Sequence, residues 1–119
     1  MSITLWRICR REHARTIFDG SGAAEHPGRW NTAGMRVAYC STSLPLAVLE
    51  VLVHVPSARV LREYVYASVR IEPSHIVDVR EDVAVMIRRG EVPDDDITRT
   101  VGVAAFVKGI AALRVPSVV

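Results

Sequence analysis

Glu50 is the only formal charge between Val37 and Val53 (VAYCSTSLPLAVLEVLV). An ionised carboxylate in apolar surroundings is costly unless it is paired or lines a polar cleft. About twenty residues upstream, the glycine-bounded segment GRWNTAGMR carries Arg29, Trp30 and Asn31. An arginine, an aromatic ring, an amide and an isolated carboxylate are the parts of a site for an anionic, ring-bearing ligand. Guanidinium groups grip phosphate or carboxylate in bidentate fashion. An aromatic face stacks a ring or a cation. A poorly screened carboxylate stabilises developing positive charge or activates an attacking hydroxyl group. Each residue also has a purely structural reading. Glu50 and His54 share a helical face and can pair with each other. Arg7 in a strand-like run belongs on a solvated face, Tyr39 in an apolar run belongs to a core, and Ser117 after Pro116 is turn chemistry.

The elements that must position these residues follow from periodicity. Ile3 to Cys9 alternates loosely and predicts a strand. Asp19 to Gly34 has neither a helical nor a strand period, and a loop of that length in a small domain is usually functional. Val37 to Ser41 predicts a short buried strand. Ser43 is an N-cap with Pro45 in the first turn of a helix that runs to about His54 and stops before Pro56. Leu44, Ala47, Val48, Val51 and Leu52 form its apolar stripe, and Leu46, Leu49 and Val53 carry apolar surface around it, so a central helix is expected. Val60 to Glu72 alternates and predicts a long strand, followed by a short one at Ile76–Val79. Asp82–Arg89 closed by Gly90 predicts a helix, as does Ile97–Lys108 behind three aspartates. Ala111 to Val119 predicts a final strand broken at Pro116. The sum is an α+β domain with a small mixed, mostly antiparallel sheet.

Composition narrows the class. The 119 residues are half apolar and a quarter charged, which is globular rather than disordered and fits one domain. The net charge of +2 does not by itself call for nucleic acid. The cations are nearly all Arg, with Lys108 the one lysine. Cys9 and Cys40 are expected as free thiols in a reduced compartment, and no His/Cys spacing fits a metal site. A signal-peptide pattern is missing, and the longest apolar run is too short for a bilayer, so a soluble cytoplasmic protein is expected.

GRWN at Gly28–Asn31 followed by VAYCSTSLPLAVLEVLVH at Val37–His54 resembles the RES domain family, which is named for an Arg, a Glu and a Ser. The opening LWRICRREHA and FDGSGA resemble the family's first strand and loop, and GVAAFVKGIAALRVPSVV resembles its closing helix and strand. The resemblance implies a toxin of a bacterial type II toxin–antitoxin pair, with a fold similar to the ADP-ribosyltransferases. It implies consumption of NAD+ as substrate, with no cofactor and no metal, by hydrolysis or phosphorolysis of the nicotinamide–ribose bond. Some members are ADP-ribosyltransferases, so transfer to a protein target is the first alternative. Arg7 in LWRI, Arg29 in GRWN, Tyr39 in VAYCS, Glu50 in AVLEVL and Ser117 in VPSVV match the family's functional positions. The resemblance thus implies catalytic roles for Glu50, Arg29 and Tyr39, and NAD+ contacts from Arg7, Arg29, Trp30, Asn31, Tyr39 and Ser117. It implies a helix-turn-helix, Xre-type antitoxin as partner, through which DNA is contacted, and no membrane. The family usually continues past VPS with a strand and an Asn-Pro-rich tail, whereas this sequence stops at Val119; a single domain over 1–119 without that tail is expected. A rival of another class is a non-enzymatic nucleic-acid module using Arg10, Arg11, Arg15 and Arg29. Low aromatic content argues against it. A catalytically dead structural partner is a further alternative.

Overall fold

The alternating runs at the start and middle of the chain zip together. β1 (Ile3–Arg10) and β2 (Tyr64–Ile71) form an unbroken antiparallel ladder from Ile3 opposite Ile71 to Arg10 opposite Tyr64. The computed structural model describes residues 1–117, and Val118 and Val119 of the expected final strand lie outside them. A second, parallel ladder joins β3 (Ile76–Asp78) to β4 (Ala112–Arg114). The α+β expectation therefore holds, with the sheet divided into a longer antiparallel and a shorter parallel pair. Helices α1 (Ser21–Glu25), α2 (Leu44–Leu52), α3 (Arg80–Arg89) and α4 (Asp94–Val107) complete the domain.

Several boundaries differ from expectation for local reasons. Val37–Ser41 is not a strand: only Ser41 pairs, through reciprocal bonds with Trp6. Two residues back, the Tyr39 carbonyl is instead taken by the Arg7 guanidinium, Nη1 to O 3.0 Å, so a side chain substitutes for the ladder. The Val60 end of the long predicted strand is a 3-10 turn over Ala58–Glu63, started by the Ser57 hydroxyl accepting the Arg59 N–H at 3.2 Å. α3 begins at Arg80 rather than Asp82, because Asp78 Oδ1 accepts the Arg80 N–H at 3.0 Å. Gly90 ends it in the left-handed conformation, φ 65°. α4 likewise starts at Asp94, so all three aspartates lie in its first turn, where carboxylates favour the positive end of the dipole. The expected loop from Asp19 to Gly34 encloses α1, a helix too short to show a period.

Helix α2 keeps its predicted cap, Ser43 Oγ accepting the Leu46 N–H at 3.2 Å, but it is not central. Ala47 is its buried residue, while Leu49 is 49% exposed and Val53 60%. The core lies elsewhere, around Trp30, Val83 and Ile97, with Tyr39, Val79, Ile87, Val101, Leu113 and Val115 packed against them. α3 and α4 thus clamp the GRWN segment from one side. The closest approach is at Gly102, where an added Cβ would overlap the Trp30 carbonyl oxygen.

Candidate functional site

The GRWN segment is held by its own asparagine. Asn31 is fully buried, and both ends of its amide are engaged. Oδ1 accepts the Gly28 N–H at 2.8 Å and the Tyr39 hydroxyl at 2.7 Å, while Nδ2 donates to the carbonyls of Ala23 at 2.8 Å and Met35 at 3.1 Å. The Tyr39 oxygen in turn accepts the Trp30 N–H at 3.1 Å. Burial pushes the Tyr39 phenol above its ordinary pKa, with the Trp30 N–H bond and the nearby positive charge of Arg99 opposing. Position 28 must be small, because a Cβ there would stand 2.9 Å from the Tyr39 hydroxyl. The buried Thr98 hydroxyl on α4 donates to the Arg29 carbonyl at 2.7 Å and fixes the turn from the far side.

The expected ligand-contact residues therefore divide. Asn31 and Trp30, expected to touch substrate, are buried and have no face to offer: the amide is consumed in the loop and the indole is core. Arg29 is half-buried, its guanidinium 6.0 Å from the centre of the Trp30 ring. Arg7 is not on a solvated face. It is half-buried, donating from Nε to the Ile17 carbonyl at 2.6 Å and from Nη1 to the Tyr39 carbonyl. Arg7, Tyr39, Asn31, Trp30 and Arg29 thus form one connected group. Cys9 and Cys40 are both free, as expected, and both thiols are raised by burial and drawn down in part by the Arg7 charge.

Glu50 belongs to a second group. It is half-buried rather than dry, and the Ser117 hydroxyl donates to its Oε1 at 2.7 Å across 67 residues of sequence. His54, the rival partner, is exposed, and the ion pairs among the described residues are His13–Glu12 and Asp78–Arg80. Among the described residues no hydrogen bond or ion pair links Glu50 to Arg7 or Arg29. Two surface hollows, one along α4 beside Arg99 and Thr100 and one at Asp78–Glu81, include none of the predicted site residues. The roles of Thr98 and Gly102 escaped the sequence reading, because a hydroxyl or a glycine that matters through one backbone contact leaves no spacing signal. Among the described residues no cluster of three His, Cys, Asp or Glu could hold a metal, and no helix is long and apolar enough to cross a membrane.

The chemistry available is a carboxylate on α2 steadied by the Ser117 hydroxyl, an Arg7 guanidinium set by two backbone carbonyls beside Tyr39, and an Arg29 guanidinium near the Trp30 ring. Known proteins resemble the chain that carries them. The RES domain model matches residues 4–119. A protein named Toxin Res from Photorhabdus laumondii is 37% identical over 75 residues, covering 63% of this chain and 47% of the relative. A Toxin Res from Yersinia enterocolitica is 37% identical over 73 residues, covering 61% of this chain and 48% of the relative. The Prs ADP-ribosylating toxin of a Sphingobium species is 37% identical over 59 residues, covering 48% of this chain and 37% of the relative. The chain spans about half the length of the first two of these relatives. With a match across nearly its whole length, this chain belongs to the RES domain family.

Proposed function

We propose that this protein is a toxin that cleaves NAD+ at the nicotinamide–ribose bond and passes the ADP-ribosyl group to water or phosphate. The observation that carries this reading is the Ser117–Glu50 bond at 2.7 Å, which joins, across 67 residues of sequence, two residues that the family resemblance expects in the site. In the reaction the C1′–N bond breaks and its electron pair leaves with nicotinamide, a neutral leaving group that needs no acid. The ribose acquires oxocarbenium character, as in glycoside hydrolysis. Ser117 holds one oxygen of Glu50, and the other faces C1′, where its charge stabilises the cation and takes the proton of the attacking water. Arg29 and the remaining donors of Arg7 grip the pyrophosphate. The exposed part of the Tyr39 ring meets the nicotinamide, while its hydroxyl stays with Asn31. Trp30 and Asn31 act by holding the arginine turn rather than by touching substrate.

The test is nicotinamide release from NAD+ by the purified chain, with and without phosphate. Release is expected, with Glu50→Gln lowering it by about 100-fold or more. A wild-type rate equal to that of Glu50→Gln would overturn the assignment. Transfer of ADP-ribose to a protein is the second reading, favoured by the name of the Sphingobium relative. Labelled NAD+ in lysate separates the two: modified protein bands favour transfer, and small products alone favour degradation. An enzyme that depletes cytoplasmic NAD+ requires an inhibitor. A helix-turn-helix antitoxin of the Xre type is the proposed partner, seated on the open Leu49 and Val53 beside Glu50. DNA is then contacted through that partner.

A further inference from the structure

The peptide group between Arg29 and Trp30 is gripped at both ends. Its carbonyl oxygen accepts the Thr98 hydroxyl of α4 at 2.7 Å, across 69 residues of sequence. Its N–H, that of Trp30, donates to the Tyr39 hydroxyl at 3.1 Å. A planar peptide group held at both oxygen and nitrogen cannot turn without breaking one of the two bonds. One residue earlier, the Gly28 N–H is held by Asn31 Oδ1 at 2.8 Å. The main chain on both sides of the Arg29 Cα is therefore fixed, and with it the direction in which the side chain leaves. The guanidinium takes no part in this fastening. Among the described residues it makes no hydrogen bond or ion pair, and it lies 6.0 Å from the centre of the Trp30 ring.

Thr98 has an ordinary alternative that it does not favour. A threonine inside a helix commonly turns its hydroxyl back to a carbonyl of the preceding turn. The Asp95 carbonyl stands there, but farther off at 3.2 Å, and a hydroxyl carries one proton to give. Thr98 is fully buried, so solvent offers the Arg29 carbonyl no substitute from that side. The rest of this helix face serves the same turn. Ile97 belongs to the core cluster with Trp30, and Gly102, one turn beyond Thr98, lies against the Trp30 carbonyl. Helix α4 thus meets two successive carbonyls of the GRWN segment, with a hydroxyl at one and no side chain at the other.

We infer that Thr98 is a positioning residue for substrate, aiming the Arg29 guanidinium at the pyrophosphate through the peptide group that it holds. The inference rests on the proposed grip of Arg29 on that pyrophosphate. A guanidinium fork must meet two phosphate oxygens at once, so the direction of its stem matters as much as its charge. A stem that is already fixed also gives up less freedom on binding. Without the Thr98 bond, the peptide group can swing about its remaining bond to Tyr39, and the Arg29 Cα–Cβ direction swings with it. Thr98 itself touches no substrate, since it has no exposed surface. Its contribution therefore passes wholly through Arg29.

Binding of ADP-ribose to the full chain, followed by calorimetry, tests it. Thr98→Val keeps the shape and removes the donor, and its dissociation constant is expected to rise about tenfold. Thr98→Ser keeps the hydroxyl and is expected to restore binding. On an Arg29→Ala background, where Arg7 keeps its share of the grip, Thr98→Val is expected to weaken binding no further, because no guanidinium is left to aim. Should Thr98→Val not fold, Thr98→Ala decides, since alanine removes the same hydroxyl and is the stronger helix former. A wild type that does not bind ADP-ribose would overturn the inference. So would a folded Thr98→Val that binds as tightly as wild type, or one whose loss persists in full beside Arg29→Ala. The comparison is read without cleavage: a chain that binds ADP-ribose but releases no nicotinamide from NAD+ fails the proposed function and not this inference.

Discussion

Asn31 shows how a residue that looks like a ligand contact can be the fastener of one. Its amide bonds Gly28, Tyr39, Ala23 and Met35 with no exposed surface. Removing it strands several buried partners, each costing about 1–3 kcal/mol. Asn31→Ala is therefore expected to lower stability by about 3–5 kcal/mol in urea denaturation, a loss larger than ordinary surface changes give. Tyr39→Phe leaves only the Trp30 N–H and part of Asn31 Oδ1 unmet and is expected to cost about 1–2 kcal/mol. Equal costs for the two would mean that the amide is not the hub. Position 31 was legible in the sequence as important, because glycine, arginine, tryptophan and asparagine in sequence are rare. Its role was not, because a motif gives residue types and leaves open which way the side chains turn.

At the scale of elements, two contacts decide how helices meet the site. The first is Gly102. In most helices Gly→Ala gains about 1 kcal/mol through propensity. Here the added methyl meets the Trp30 carbonyl, which belongs to backbone and cannot step aside. Gly102→Ala is expected to lose about 2–3 kcal/mol instead, and a stabilised variant would show that α4 does not press on the GRWN turn. The second is the start of α3. Asp78 is held down to about 2, first by its side-chain bond to Arg80 and then by the Arg80 backbone N–H. Its folded pKa lies below its unfolded value, so the contribution to stability is present above about pH 4 and fades as pH falls toward 2. Because both partners are open to solvent the effect is small. Asp78→Asn is expected to flatten the fall of the thermal midpoint across that window, and identical midpoint profiles would refute the assignment.

At the scale of the molecule, α2 stands half-open, with Leu49 and Val53 exposed on either side of Glu50 while the core gathers around Trp30, Val83 and Ile97. Leu49 and Val53 are the surface that the proposed antitoxin would cover.

The sequence alone determined β1, most of β2, helices α2, α3 and α4, the Ser43 cap, the free thiols and the family, because each depends on short-range chemistry or fixed spacing. Alternation made β1 and β2 visible; the five-residue α1 was not, since it completes too little of a helical turn pattern to be read. Tertiary structure decided the rest. It turned Trp30 and Asn31 inward, gave the Tyr39 carbonyl to Arg7 in place of a strand partner, and joined Ser117 to Glu50. These are contacts between residues far apart in the chain, and competition for a carbonyl or a hydroxyl is settled only when the folded backbone brings the competitors within hydrogen-bond reach.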